Sequence, residues 1–219
     1  MFIFILLVNI IFIFFTPIDL AFFPVLLLAI ITVFFMSRSD KQKHGQIIII
    51  QKEVPWWINI GSILGIIYGL STYILIRYNI ISNPLFKTDI IRFPIFVISI
   101  GIILNIHSLL SLKNMYSGKP TIYNKQQIIT TGTYKLVRHP IYLSFILINF
   151  GSSLLPGRPF ISFLLTCYTI LWAIKRAELE EKLLIEINSQ HYNKYKEEVP
   201  MLFPTPKSFF KYIKELFHG

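Results

Sequence analysis

Two charged clusters hold the residue types from which a reactive site could be built. The first is Thr131-Gly132-Thr133-Tyr134-Lys135-Leu136-Val137-Arg138-His139-Pro140-Ile141-Tyr142, a polar, basic dozen set against an apolar run. The second is Arg176-Ala177-Glu178-Leu179-Glu180-Glu181, which follows the next two apolar runs. Arg138 and His139 precede Pro140, and proline suits the first turn of a helix because no N–H is needed there. A helix start offers backbone N–H groups and a positive end, so it welcomes a carboxylate. Tyr134 and Tyr142 add ring faces and hydroxyls near the same point. Arg176 and Glu180 are four apart and share a helix face. Glu181 lies about 100° round from Glu180. Each cluster alone also has a plain structural reading: an interfacial Arg with His and Tyr, and a solvated ion pair. Together they say more. Pro156-Gly157-Arg158-Pro159 is a turn by composition and folds the two intervening runs into a hairpin. The start of one helix then meets the end of the other, and His139, Tyr142, Arg176 and Glu180 converge.

The elements that position these clusters are membrane helices. The chain has 219 residues, 54% of them hydrophobic and only 15% charged, with a mean hydropathy of +0.61. That excess of apolar surface predicts an all-α, polytopic membrane bundle of about five to six spans. Apolar stretches lie at 1–15, 20–36, 56–76, 90–112, 141–155 and 159–174. Only the third and fourth reach the roughly 20 residues of a full span. The first 15 residues lack a basic flank and read as a retained helix, not a signal peptide. With the N-terminus inside, 17 Lys and Arg fall on the inner side and 4 outside. This asymmetry puts both clusters on the cytoplasmic face.

Residues 1–112 then supply N-terminal spans, and 113–219 carry the chemistry. The sixth helix is expected to run on into the cytoplasm to about Tyr195, with Val199-Pro200 and Pro204-Thr205-Pro206 ending it. A short amphipathic helix follows, with Phe209, Phe210, Ile213, Leu216 and Phe217 on one face and lysines between them, suited to anionic lipid.

Several other signals carry little chemistry. The net charge of +10 fits topology and lipid headgroups better than nucleic acid. Gly61, Gly65 and Gly69 share a helix face and favour close helix contact; they form no phosphate loop. His44, His107, His191 and His218 are scattered, so no metal site is expected. Asn105 and His107 lie inside a span, where either a functional role or a helix-to-helix hydrogen bond would account for them. Cys167 is the single cysteine, which excludes a disulfide within the chain.

The ordered set Thr131-Gly132-Thr133-Tyr134, Arg138 to Tyr142, Arg176 with Glu180-Glu181, Tyr192-Asn193-Lys194-Tyr195, Val199-Pro200 and Pro204 resembles the integral-membrane methyltransferases. That family includes the isoprenylcysteine carboxyl methyltransferases and the phospholipid N-methyltransferases. The resemblance runs from near Gln126 to Pro206; the third and fourth spans match only as generic membrane helices. It implies S-adenosylmethionine as the methyl donor. It further implies donor contacts from Gln126, Gln127, Ile128, Ile129, Tyr134, His139, Pro140, Ile141, Tyr142 and Glu180, with Arg176 facing the acceptor. Two positions depart from the pattern. Ser144 stands where the family usually has Gly, which predicts altered packing beside the cofactor. Asn188-Ser189 replaces Phe-Gly and affects a turn.

The expected reaction is in-line displacement at a sulfonium methyl, on an acceptor that arrives from the bilayer. Alignment and exclusion of water are then the main tasks. A carboxylate acceptor needs no general base, and Arg176 could grip it with two hydrogen bonds. Prenylcysteine, phospholipid and small thiol are the acceptor classes left open, with a carboxylate modestly favoured. Two other readings compete: an NADPH-dependent sterol-reductase-like enzyme and a non-catalytic lipid-binding protein.

Overall fold

The computed structural model describes residues 47–50, 89–112, 121–123 and 128–218, together with Leu64, Ile67, Tyr68, Ser71 and Ile74. The stretches at 1–15 and 20–36, most of 56–76, His44 and the Gly61–Gly69 face lie outside the described residues. The architecture is helical, as the composition requires. Strand β1 (Ile47–Ile50) precedes helix α1 (Arg92–Leu112), and strand β2 (Thr121–Tyr123) follows it. Then come α2 (Pro140–Leu154), α3 (Pro159–Ile187), α4 (Ser189–Glu198) and α5 (Pro206–His218). The two strands are an addition that composition did not suggest. They pair antiparallel, with an irregular register between Ile47 and Ile49.

Helix α1 has 21 residues, about 31 Å of length, which matches the hydrocarbon core of a bilayer. Helix α3 has 29 residues, roughly 43 Å, so its charged C-terminal third extends past that thickness. These two are the helices long and apolar enough to cross a membrane among the described residues; α2 is apolar but shorter. Phe160, Phe163, Leu164 and Leu171 on α3 are exposed, as lipid-facing residues would be. Proline opens both α2 and α3. Gly157 between them sits at φ 66°, where a Cβ would be strained. The hairpin therefore forms as its turn composition predicts, and Ser162 locks it by donating to the Ser153 carbonyl at 2.5 Å.

Helices α1 and α2 pack antiparallel at close range. A Cβ on Gly101 would lie 3.0 Å from both the Ser144 carbonyl oxygen and the Ile148 nitrogen. A Cβ on Gly151 would lie 2.8 Å from the Pro94 carbonyl oxygen. Small residues at such crossings let backbones approach where no hydrophobic drive separates helix from lipid. Asn105 Nδ2 donates to Ser144 Oγ at 2.6 Å across the same interface, so Asn105 takes the helix-to-helix role. Ser144 thus faces α1, and the departure from Gly becomes a polar cross-link between helices instead of altered packing beside the cofactor. The C-terminal half of α1 lies beside the first turns of α2.

One continuous extension of α3 was expected, but the helix stops at Asn188. Its backbone is extended (φ −157°), and its side chain caps α4 by accepting from the His191 N–H at 3.0 Å. Asparagine competes with helix hydrogen bonds in this way, so a new helix begins there. The break at Val199-Pro200 falls where expected. Thr205 and Ser208 then exchange reciprocal hydrogen bonds at the start of α5, a capping box. In α5 the buried stripe is Ser208 and Tyr212, while Phe209 and Phe210 are exposed. Tyr212 and Ile213 pack with Leu104, Leu136, Val137 and Leu143. The anticipated single apolar face is therefore split, with one side packed on the bundle.

Gly151→Ala is expected to cost about 1–3 kcal/mol, because the added methyl meets backbone that cannot swing aside. A thermal melt of detergent-solubilised protein checks this; an unchanged midpoint would mean that α1 and α2 can separate freely.

Candidate active site

The start of α2 is held by the segment after α4. The Arg138 N–H donates to the Pro200 carbonyl at 2.8 Å, and the His139 N–H donates to that of Met201 at 3.1 Å. The Tyr142 and Leu143 N–H groups both turn back to the His139 carbonyl at 3.1 Å. Most donors that a helix start would offer a carboxylate are therefore already engaged, unlike the free terminus read from the sequence. The groups left open there are side chains.

Glu181 is the buried centre of charge. Its Oε1 accepts from Arg138 Nε at 2.8 Å and pairs with Arg138 Nη2 at 2.8 Å. The same carboxylate meets His139 Nε2 at 3.3 Å and Lys196 Nζ at 3.1 Å. Arg138 Nη1 also donates to the Val199 carbonyl at 2.5 Å. This lock ties α2, α3 and α4 to the chain beyond them. A buried charge persists only when paired and hydrogen-bonded, and here the partners come from the segment leading into α2 and from α4.

Glu180 is built differently. Its carboxylate accepts from the Tyr142 hydroxyl and lies 3.7 Å from His139 Nδ1. Its side chain is 28% exposed, against 5% for that of Glu181. Of the adjacent acids, Glu180 is the one that can still reach a ligand. The His139 and Tyr142 rings stack at 5.6 Å with 14° between planes, and the Trp172 edge meets Tyr142 at 5.4 Å. Arg176 is buried one turn before Glu180 and lies within electrostatic reach of Tyr142. Around them Tyr142, Ile146, Trp172, Ala173, Ala177 and Leu202 form a continuous apolar wall.

The fold thus brings His139, Tyr142, Arg176 and Glu180 together, with Pro140 buried and Ile141 half-buried beside them. Gln126 and Gln127 lie outside the described residues. Ile128 packs on Tyr192, Tyr195 and Val199, and Ile129 is half-buried. The Tyr134 carbonyl accepts from the Tyr195 hydroxyl at 2.5 Å, so Ile128 and Tyr134 join the C-terminal segment. Sequence reasoning missed Arg138, Glu181 and Lys196 as a unit. The signal was two adjacent bases facing two adjacent acids: neighbours on a helix point about 100° apart, so one pair locks while the other stays open.

The residues fit S-adenosylmethionine. An open carboxylate suits its hydroxyl and ammonium groups, and stacked aromatic faces suit a sulfonium and an adenine. Residues 93–186 match the isoprenylcysteine carboxyl methyltransferase family. This segment is thus similar to that family over α1, α2 and nearly all of α3. The match reaches back through α1, further than the motif pattern extended. A methanethiol S-methyltransferase of Crocosphaera subtropica is 33% identical over 82 residues, 37% of this chain and 31% of that protein. Methanethiol S-methyltransferase 1 of Bradyrhizobium diazoefficiens is 35% identical over 75 residues, 34% of this chain and 25% of that protein. The similarity thus spans under a third of each curated relative's length. The matched segment contains the two helices that, among the described residues, are long and apolar enough to cross a membrane, which fits a membrane protein.

Burial opposes the charged form of His139, but the Glu180 and Glu181 carboxylates outweigh it and raise the imidazole pKa above 6.5. Only the imidazolium donates from both nitrogens. Its stabilisation is complete below the unfolded pKa and is lost as pH rises through the folded one. The thermal midpoint is therefore expected to fall from pH 6.5 upward, and His139→Gln should flatten that slope; an unaltered slope would place the titration elsewhere. Glu181→Ala strands a buried Arg138 and is expected to cost about 3–5 kcal/mol, read as a lower midpoint or loss of folded protein in detergent.

Proposed function

We propose that the protein is an S-adenosylmethionine-dependent methyltransferase acting on a lipophilic acceptor at the cytoplasmic membrane face. One observation carries the reading: within a segment similar to this family, an open Glu180 and a buried Arg176 stand one turn apart beside the His139–Tyr142 stack. S-adenosylmethionine, when bound, supplies a methyl group already activated on a sulfonium. Glu180 accepts hydrogen bonds from the donor, and Tyr142 holds that carboxylate in place. The His139 and Tyr142 faces contact the donor's cationic or aromatic parts. The apolar wall around Trp172 excludes water from the reacting atoms. Arg176 orients an anionic acceptor. The cytoplasmic placement rests on the Lys and Arg asymmetry along the sequence.

A prenylcysteine carboxylate suits Arg176 without a general base. The named relatives favour a second acceptor class, a small thiol, for which Arg176 would stabilise the thiolate. Parallel assays with a prenylcysteine analogue and with methanethiol decide between them.

Glu180→Ala is expected to weaken S-adenosylmethionine binding by about tenfold or more, measured by calorimetry on the detergent-purified protein. Arg176→Ala should leave that affinity within about twofold and lower turnover by at least about tenfold. Binding of NADPH in place of S-adenosylmethionine by the unsubstituted protein would overturn the reading and favour a reductase.

A further inference from the structure

Helix α5 presents a face that the other described residues leave exposed. Ser208 and Tyr212 are buried one turn apart. Phe210 lies about 180° from the middle of that stripe and is 70% exposed. Phe209 beside it and Phe203 on the approach are exposed as well, and the Phe209 and Phe210 rings meet at 6.1 Å. Lys207, Lys211 and Lys214 are exposed on the same helix. Lys211 pairs with Glu198 at 2.9 Å, and Lys194 and Lys207 also lie within electrostatic reach of that carboxylate. Glu198 is one carboxylate among three ammonium groups, and α5 itself carries three lysines against Glu215, so the helix is net positive.

The position of α5 sets what can meet this face. Tyr212 contacts His107, with the hydroxyl 3.5 Å from Nδ1, and packs with Leu104 and Leu143. These residues lie toward the C-terminal end of α1 and in the first turn of α2, the end of the bundle that carries the site. Helix α5 is thus held at the edge of the apolar layer, at the level of the site, with Phe210 turned away from the bundle. Exposed phenyl rings with flanking lysines at that depth match the phosphate and upper acyl region of a bilayer.

We propose that the Phe209–Phe210 face of α5 and the preceding Phe203, with Lys207, Lys211 and Lys214, form a docking surface for the anionic phospholipid headgroups of the membrane that holds the bundle. The phenyl rings insert beneath the phosphates, and the lysines pair with them. The packed Tyr212 side fixes the helix orientation, so lipid contact is a property of the folded protein and not of a free amphipathic tail.

The test uses the full chain with Phe210→Cys in a Cys167→Ser background, labelled with an environment-sensitive fluorophore. The labelled protein is placed in nanodiscs of phosphatidylcholine alone or of phosphatidylcholine with phosphatidylglycerol. Blue-shifted emission and acrylamide quenching reduced roughly twofold or more are expected in the discs containing phosphatidylglycerol. High salt and the combined Lys207→Gln, Lys211→Gln, Lys214→Gln variant should each remove most of that difference. A label at Phe209→Cys carries the same expectation should the first variant fold poorly. Equal, water-like emission in both lipids overturns the proposal. So does shielding that appears in detergent without phospholipid and grows with protein concentration, which would assign the face to a second copy of the chain.

Discussion

The pairing of Glu181 with Arg138 is the contact on which the rest of the site depends. Arg138 lies just before α2, Glu181 in the charged third of α3, and the carbonyls of Lys196 and Val199 lie beyond. Neither charge is stable in an apolar surrounding by itself, so each demands the other. That demand brings the chain after α4 against the start of α2, where the Pro200 and Met201 carbonyls take up the Arg138 and His139 N–H groups. With the lock closed, His139 and Tyr142 are stacked and Glu180 is left facing outward. Two adjacent acids thereby acquire opposite fates, one in structure and one at the mouth of the site.

A second constraint acts inside the apolar layer. Helix α2 is short for a span and could slide along its neighbours. Gly101 and Gly151 bring α1 into backbone contact with it, and the Asn105–Ser144 hydrogen bond sets the register. Polar groups in an apolar medium lose more by misalignment than apolar ones do, so the crossing has one favoured position. Most remaining hydroxyls are satisfied on their own helices, as Ser108 is by Leu104 and Thr169 by Leu165. Close packing and the buried lock then hold the two ends of α2 independently.

Much of the fold was legible because its signals are local. Pro140 and Pro159 mark helix starts, and Gly157 marks the hairpin between them. The apolar run to Leu112 gives α1 its length. The convergence of His139, Tyr142, Arg176 and Glu180 followed from that hairpin alone. The sequence was less clear where a choice depended on partners. Asn188 could continue a helix or cap the next, and Ser144 could face the cofactor or α1. A periodic pattern shows which residues share a face but not what that face meets, so α5 read as lying wholly on lipid when half of it packs on α1 and α2.

The amino-acid sequence by itself determined the solvent, the order of helices and hairpin, and the residue types that meet at the site. Those follow from hydropathy, breaker residues and helical spacing, which neighbours along the chain set. The tertiary structure alone decided that Glu181 is spent on Arg138 and Lys196, that Glu180 stays open, and that the Arg138 and His139 N–H groups are taken by carbonyls some sixty positions away. Adjacent, identical side chains carry no local mark to tell them apart. Only the charges and carbonyls that reach each one in the folded chain assign its role.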